Sequence, residues 1–597
     1  MTLAYPRPNP FTAVRRQSPS QANSTAQVDL GYAVYQGTQN STTGLTEYKG
    51  IRFAQPPIGS LRWQPPQPPN TNRSSTQSAS AYGSSCPQSP ASTGVSSNFT
   101  LYSEDCLFLN VQSPANASNL PVLVWIHGGG YGAGNGQQDL SSFINANEDG
   151  IVGVSIQYRL GAFGFLSSDE VYRNGAVNAG LLDQQFALQW VQTYIDLFGG
   201  DPNRVTISGD SAGGGSVMLL DIAYGGTLGT SLFTNSISAS PYLPQQYGYK
   251  DWIPSQSYYA FATAAGCPPA FAYGNSSQTI FECLVNVDTD ILQNASAIIS
   301  ASGTFGSWGF LPVTDGTYIQ ETPSQALLKG KVNGLHQLSG NNADEGAPFT
   351  THNITTEDDL VAWIHLVFPL FRNDDIAKLL YYYPSSNSSD TSLQYSTEGD
   401  QGATALNTSL IASGQQQRAN NIYGETTFVC PSYWLAEAYS SNAGSVARSG
   451  YKYQYSVPLA IHGIDGLAYF GPPGPNLGPD FVLAFQRIWG NFIKTSNPSI
   501  SASIAAGASA SNSTTNATAS SSPLENWPPF TLYDPYMANL NQSGGTPFQT
   551  LNGQVNITEF GEPGLKNNLE LVNAYSWEGG RGVRCDFWKS VAALVPE

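Results

Sequence analysis

The chain is short of positive charge. Its 597 residues include 24 Lys and Arg against 42 Asp and Glu, which gives a formal net charge of −18. An acidic chain of this kind is a poor partner for nucleic acid and offers no basic patch to an anionic membrane. A soluble, charged surface explains the acidity better than attraction of a cationic substrate does.

Long apolar runs and metal-binding clusters are lacking as well. The sequence contains no stretch of about eighteen apolar residues that would span a bilayer. The glycine-rich segment 128–136 is not followed by the acidic residue and the βαβ pattern that a dinucleotide site requires, and no phosphate-binding loop is present. The sequence therefore implies no metal and no cofactor.

The cysteines and the glycosylation sequons, taken together, indicate secretion. Six cysteines and fourteen Asn-x-Ser/Thr sequons together favour an extracellular glycoprotein with N-linked glycans. Local spacing favours pairing Cys86 with Cys106 and Cys267 with Cys283. Segment 1–20 has no apolar core of signal-peptide length, so we expect that a leader has been removed. The sequons include Asn23, Asn72, Asn98, Asn116, Asn275, Asn353, Asn407, Asn512, Asn516 and Asn556.

Strand-like and helix-like runs alternate along the chain, which is typical of one α/β sheet. The clearest helix, at 183–198, carries an apolar stripe that predicts a buried face. We predict a flexible arm at 1–27 and a single domain at 28–597, with a low-complexity surface loop at about 499–523. Fewer than about eighty residues follow that loop, too few to favour a separate module. The predicted strands lie at 122–126, 151–158, 204–208, 232–238 and 451–457.

Two glycine-rich motifs follow predicted strands. The segment HGGG at 127–130 follows an apolar strand, and GDSAG at 209–213 lies between the strand 204–208 and a helix predicted at 212–220. In this setting a tight turn exposes the hydroxyl of Ser211, while backbone N–H groups face the charge that develops on an attacked carbonyl. Each motif alone is compatible with an ordinary loop. Together they predict ester cleavage.

A serine nucleophile also needs a histidine base and a carboxylate that orients it. His462 is the best candidate base, because it follows an apolar strand predicted at 455–461 and precedes Gly463. For His365, in an apolar helical run, we expect a buried structural role. The other three histidines lie in the glycine turn, in a predicted strand and beside a sequon: His127, His336 and His352.

Two adjacent acids are candidates for the carboxylate. Asp344 and Glu345 follow a strand-like run at 335–340 and precede Gly346, in a loop suited to the carboxyl edge of a sheet. In α/β hydrolases the acid lies between the nucleophile and the histidine in chain order. Both residues meet this condition, so spacing does not choose between them.

These residues, with further blocks, resemble the type-B carboxylesterase, or cholinesterase-like, group of α/β hydrolases. The blocks are YKGIRFAQPP at 48–57, EDCL at 104–107, NAGLLDQ at 178–184, FGGDP at 198–202 and the GDSAG motif. The likeness extends from about residue 28 to the C terminus and is densest before residue 240. Asp210 departs from the family's usual glutamate, and Ala239 from its usual glycine.

The resemblance implies an α/β-hydrolase fold, with a large, mixed, mostly parallel sheet flanked by helices, and a serine esterase activity. It selects Glu345 as the acid, because the family has glutamate directly before glycine there. The implied catalytic triad is Ser211, Glu345 and His462. The implied oxyanion donors are the N–H groups of Gly129, Gly130 and Ala212. The implied disulfides are Cys86–Cys106, Cys267–Cys283 and Cys430–Cys585.

The loop between Cys86 and Cys106 bears on the substrate. It holds only 19 residues, mostly Ser, Pro, Gly and Asn, whereas related lipases have a long amphipathic flap. This short polar lid favours soluble or short-acyl esters over an interfacially activated lipase or sterol esterase. Phe99 and Tyr102 are its only aromatics, which disfavours a choline esterase. Retention of all three triad residues speaks against an adhesion protein that lost its activity. The sequence does not indicate an oligomeric state.

Overall fold

The computed structural model describes residues 9–13, 26–93, 101–267, 278–384, 404–406, 411–440, 447–507, 521–552 and 555–595. Part of the predicted low-complexity loop, 508–520, lies outside these residues. So do six of the sequons named above, at Asn23, Asn98, Asn275, Asn407, Asn512 and Asn516.

The described strands form a small sheet and a large one. In chain order they are β1 (Gln27–Asp29), β2 (Val34–Gln36), β3 (Thr38–Asn40), β4 (Leu45–Arg52), β5 (Gln77–Ser78), β6 (Phe108–Pro114), β7 (Leu120–Ile126), β8 (Val152–Ile156), β9 (Gly200–Asp210), β10 (Asn235–Ala239), β11 (His336–Asn342), β12 (Ser449–Tyr455), β13 (Tyr536–Asn552) and β14 (Val555–Asn573). The small sheet has the order β1-β2-β5.

Helices surround the large sheet. They are α1 (Ser141–Ala146), α2 (Gly161–Phe165), α3 (Asp169–Asn174), α4 (Ala179–Tyr194), α5 (Ala212–Ile222), α6 (Trp252–Ala264), α7 (Ile280–Asn286), α8 (Thr289–Ala301), α9 (Pro323–Leu328), α10 (Glu357–Val367), α11 (Asn373–Tyr382), α12 (Gly414–Gly424), α13 (Cys430–Ser440), α14 (Gly466–Phe470), α15 (Pro479–Thr495), α16 (Ala502–Ala506) and α17 (Trp577–Ser590). A π-helix, Glu425–Val429, joins α12 to α13. Short 3₁₀ turns lie at Pro10–Ala13, Gly59–Leu61, Ile195–Phe198, Ala223–Gly226 and Pro523–Asn526. Among the described helices, none is long and apolar enough to cross a bilayer.

The large sheet is mixed and mostly parallel, as predicted. Its order is β14-β13-β12-β11-β10-β9-β7-β8-β6-β4-β3. The strands from β8 to β13 in this order pair in parallel, and antiparallel pairs lie at both edges. Parallel neighbours point their carboxyl ends toward one edge, where ligands of α/β proteins bind. Apolar residues are buried on both faces of this sheet, as its covering helices require.

Two predicted segments differ from the structure. The strand expected at 455–461 ends at Tyr455, and Pro458 explains this because it has no N–H for a sheet hydrogen bond. Residues 9–13 of the predicted flexible arm are packed: the ring of Phe11 is fully buried, 4.8 Å from that of Phe186. Burying this aromatic side chain outweighs the cost of ordering a short segment.

Three disulfides connect distant or irregular parts of the chain. Their pairs are Cys86 with Cys106, Cys267 with Cys283, and Cys430 with Cys585. These are the pairs that the family resemblance implies. The third bridge spans 155 positions and joins the start of α13 to α17. Residues 94–100 of the predicted lid, including Phe99, lie outside the described residues.

Candidate active site

The loops that carry the predicted site residues meet at one edge of the sheet. The glycine turn follows β7, and Ser211 directly follows β9. Glu345 lies in the loop after β11, and His462 in the loop after β12. In the sheet, parallel neighbours follow one another in the order β7-β9-β10-β11-β12. Their carboxyl ends therefore place these loops side by side.

Ser211 occupies a strained turn between β9 and α5. Its φ of 60° and ψ of −125° are unusual for a residue with a side chain, and such strain is concentrated at functional sites. Close packing explains the flanking glycines. A Cβ on Gly209 would lie 2.3 Å from the carbonyl carbon of Gly213, and one on Gly213 would lie 2.1 Å from the oxygen of Ile126.

The glycine turn packs directly against this serine. A Cβ on Gly128 would lie 3.0 Å from the Cβ of Ser211, and Gly129 and Gly130 have φ angles of 105° and 62° that favour glycine. No hydrogen bond within the described chain uses the N–H groups of Gly129, Gly130 and Ala212 as donors. These three N–H groups therefore remain available as hydrogen-bond donors.

His462 forms a hydrogen-bonded pair with the buried side chain of Glu345. The Nδ1 of His462 donates to the Oε2 of Glu345 at 2.6 Å, because a carboxylate can only accept. The next residue, Gly463, is close to the serine turn: a Cβ on it would lie 3.9 Å from the Oδ2 of Asp210. Asp210 in turn precedes Ser211, so the loop that carries His462 lies beside the serine turn.

The second ring nitrogen of His462, Nε2, has no hydrogen-bond partner among the described residues. The Nε2 of His462 is buried and makes no hydrogen bond within the described part of the chain. The hydroxyl of Ser211 therefore does not donate to it in this structure. Catalytic hydrogen bonds are often long in free enzymes and shorten when substrate binds.

Aromatic rings enclose the imidazole of His462. Its centroid lies 4.2 Å from the ring of Phe428 and 5.0 Å from that of Phe349. Trp308 lies 6.3 Å from Phe349, and Tyr242 lies 5.6 Å from Trp308. These rings shield part of the imidazole from water, which strengthens the electrostatic interaction between His462 and Glu345.

Opposing effects set the charge of the site. Burial alone would lower the pKa of His462, but the charge and hydrogen bond of Glu345, assisted by Asp210 and Asp465, outweigh it and raise the pKa. Burial raises the pKa of Asp210 to about 6. It also raises that of Asp465 well above its usual value. His462 thus lies among three carboxyl groups that all favour its protonated form.

Sequence reasoning missed two groups that hold Glu345, the candidate acid. The Oε1 of Glu345 accepts from the hydroxyl of Ser240 and from the N–H of Asn342, both at 2.6 Å. Ser240 directly follows β10, the strand between β9 and β11, and this place at the end of a strand is a signal that could have identified it. The adjacent Asp344 instead bonds through its backbone N–H to the carbonyl of Ala460 at 2.9 Å.

The other histidines lie in the glycine turn or on other elements of the fold. His127 is buried in the glycine turn, where burial lowers its pKa to about 4 and its Nδ1 lies 2.9 Å from the carbonyl oxygen of Gly128. His336 contacts the hydroxyl of Ser449 at 2.8 Å, and His352 is exposed. The buried role expected for His365 is wrong: α10 buries the face of Leu360, Trp363 and Ile364, which leaves His365 exposed.

The substitution Asp210→Asn is expected to move the pH dependence of ester hydrolysis. Removing this negative charge lowers the pKa of His462, and this candidate base has to be neutral in order to accept a proton. We expect the acid limb of the kcat/KM profile to move to lower pH. The exposed Asp374→Asn is the control and should leave the limb in place. A limb that stays fixed in Asp210→Asn would show that the two groups are not coupled.

Fold and site together define an α/β hydrolase of the serine ester hydrolase class. The Carboxylesterase family model matches residues 24–556, and the chain belongs to this family. It is therefore an enzyme that hydrolyses carboxylic esters.

Curated relatives and solved structures agree with this assignment. The chain is 30% identical over 532 residues to carboxylesterase patB of Aspergillus clavatus, covering 79% of this chain and 88% of that protein. It is 32% identical over 499 residues to secreted lipase 1 of Botryotinia fuckeliana, covering 76% and 82%. The crystal structure of Aspergillus niger EstA superimposes with a TM-score of 0.71 at 27% identity, covering 96% of this chain and 99% of that chain.

Proposed function

We propose that this protein hydrolyses soluble or short-acyl esters through a Ser211, His462 and Glu345 triad and an acyl-enzyme intermediate. One observation carries the proposal: an imidazole is hydrogen-bonded to a buried carboxylate, and the residue after it lies close to the residue that precedes a strained serine. The proposed base carries its Nδ1 proton toward Glu345, which leaves Nε2 free to accept the serine proton.

The first half of the reaction acylates the serine. His462 takes the proton of Ser211 as the hydroxyl oxygen attacks the ester carbonyl, and the new oxyanion is bound by the N–H groups of the glycine turn and of Ala212. His462 then donates the proton to the leaving alcohol, and the carbon–oxygen bond to the alcohol breaks. Glu345 orients the ring and stabilises its charged form without taking the proton.

The second half returns the free enzyme. Water loses a proton to His462 as it attacks the acyl-enzyme, and the proton then passes to Ser211 as the carboxylic acid leaves. The oxyanion donors act in both halves. Loss of one such donor costs about 10²- to 10³-fold in kcat in serine hydrolases.

Trp308 limits the space for the acyl group in this proposal. Its indole packs on the glycine turn: a Cβ on Gly130 would lie 2.1 Å from Cε2 of the ring, and one on Gly132 would lie 2.6 Å from Cδ1. The same side chain lines a cavity of about 330 Å³ together with Phe165 and Phe310. The indole thus separates this cavity from the oxyanion donors, which favours small acyl groups.

The substitution Trp308→Ala is expected to shift the acyl preference toward longer chains. Opening the site to the cavity gains roughly 0.8 kcal/mol for each additional methylene group that becomes buried. Burial of about two further methylene groups corresponds to roughly tenfold, so we expect the kcat/KM ratio of an octanoyl to an acetyl ester to rise by about tenfold or more. The matched control is Trp252→Ala, whose side chain is 73% exposed, and it should leave the ratio unchanged. An unchanged ratio in Trp308→Ala would show that Trp308 does not limit the length of the acyl group.

The ester panel that tests the function varies acyl length with the substrate both dissolved and emulsified. The proposal predicts the highest kcat/KM on short, dissolved esters and no increase in rate at the solubility limit. The alternative is a lipase, as the names of some relatives state. A rise in rate on emulsions of long-chain esters would establish the lipase instead.

Secretion is part of the proposal. Three disulfides and the similarity to two lipases that are named as secreted support an extracellular location. Among the described sequons, several asparagines are exposed and accessible to glycosylation: Asn72, Asn116, Asn353 and Asn556. Glycopeptide mass spectrometry of secreted protein tests this directly.

A further inference from the structure

The loop that carries Glu345 is supported from outside the triad by a buried arginine. The N–H of Ala343 donates to the carbonyl of Tyr455 at 3.0 Å, which ties the loop to β12. The carbonyl of Ala343 accepts from the Nη2 of Arg581 at 2.9 Å. Arg581 belongs to α17 and thus contacts the chain two residues before Glu345.

Arg581 joins three elements through its guanidinium. Its Nε donates to Glu425 at 3.0 Å, its Nη1 to Gln454 at 2.7 Å and its Nη2 to Ala343 at 2.9 Å. Glu425 begins the π-helix, and Gln454 lies on β12, the strand that leads to His462. The residue is 1% exposed. The planar guanidinium presents donors at fixed angles, so it sets the spacing of these three acceptors.

We propose that Arg581 is a positioning residue for the triad, a role that rests on the function proposed above. The link from Ala343 to the acid is short, because the N–H of Asn342 donates to the Oε1 of Glu345 at 2.6 Å. A shift of the Ala343 carbonyl therefore moves the carboxylate relative to His462. A misplacement of about 1 Å can reduce catalysis about 10²-fold.

A second arginine provides a matched control. Arg584 lies one turn further along α17, is 2% exposed and donates to both oxygens of Glu425 at 2.7 Å. Its other partners are the carbonyls of Gly579 and Glu578 in its own helix. Arg584 thus shares the burial and the carboxylate of Arg581 but, among the described residues, makes no hydrogen bond to the loop that carries Glu345.

The carboxylate that both arginines share is charged. Burial alone would raise the pKa of Glu425, but the charge and hydrogen bonds of Arg584 and the charge of Arg581 outweigh it and lower the pKa. Replacing either arginine by lysine keeps the positive charge but removes the planar guanidinium, which presents several donors at fixed angles. The two lysine variants therefore weaken the same buried cluster, and only one of them alters the support of Ala343.

The experiment compares Arg581→Lys with Arg584→Lys in the full chain, well below their melting temperatures. We expect both to lower the Tm, whereas only Arg581→Lys lowers kcat, by about tenfold or more, with KM little changed. The acid limb of kcat/KM should also move to lower pH in Arg581→Lys alone, since Glu345 raises the pKa of His462. Equal kcat values and equal acid limbs in the two variants would overturn the proposal.

A second variant tests the same role if Arg581→Lys does not fold. Gln454→Met removes one partner of Arg581 and should lower kcat in the same direction but to a smaller extent. An unchanged kcat would overturn the proposal.

Labelling of the wild-type enzyme with a serine-directed phosphonate separates the role of Arg581 from the proposed function. An unlabelled Ser211 contradicts the proposed function, whereas a labelled Ser211 with no difference between the lysine variants contradicts only the role of Arg581.

Discussion

Ser211→Ala is expected to leave a folded protein whose ester hydrolysis falls by about 10⁵-fold or more. The substitution removes one oxygen atom from the turn and with it the proposed nucleophile. The backbone strain at φ 60° does not depend on this oxygen, so we expect the Tm to stay near that of the wild type. Steady-state hydrolysis of an aryl acetate, with circular dichroism as a check of folding, measures both effects.

Ser208→Ala is the matched control for this prediction. Ser208 lies on β9 three residues before Ser211, is fully buried, and donates its hydroxyl to the carbonyl of Val124 at 3.1 Å. Its loss removes a hydrogen bond but no proposed catalytic group. Activity that survives in Ser211→Ala near the wild-type rate would assign the nucleophile to another residue.

Glu345→Gln is expected to reduce kcat about 10⁴-fold, as replacing the acid by its amide does in other serine hydrolases. The amide keeps the size of the side chain but can donate to Nδ1, which favours the wrong tautomer of His462. The loss of its charge also removes the main stabilisation of the imidazolium. The measurement is kcat across a pH range, together with KM.

Asp344→Asn decides between the two adjacent acids. Asp344 contributes a backbone hydrogen bond to Ala460 that the substitution leaves intact. We expect kcat to remain within about threefold of the wild type, the range of a modest structural change. A large loss in Asp344→Asn with little loss in Glu345→Gln would reverse the assignment of the acid.

The turn that carries Ser211 and the glycine turn could be predicted from the sequence, because both are defined by short local motifs. The strand, turn and helix around Ser211 lie within one short segment, and the flanking glycines are fixed by contacts of the same turn. The alternation of strands and helices likewise predicted the parallel sheet. Such signals depend on neighbours in the chain, so they need no knowledge of tertiary structure.

Groups that act across the sheet were harder to predict. Spacing in the sequence made Asp344 and Glu345 equally good candidates for the carboxylate, and only the family resemblance selected Glu345. The bonds of Ser240 to Glu345 and of Arg581 to Ala343 join residues 105 and 238 positions apart. Strand order brings these partners together, and no local pattern in the sequence encodes that order. His365 was misjudged because an apolar run does not show which face of the helix is buried.

Mapping the site of covalent labelling tests the central claim most directly. The protein is treated with a serine-directed phosphonate, and the peptide that contains residues 205–250 is sequenced by mass spectrometry. The account predicts one adduct per chain, on Ser211, formed much more slowly in Glu345→Gln. A phosphonate bound to another serine, or a fully active enzyme that takes up none, would contradict it.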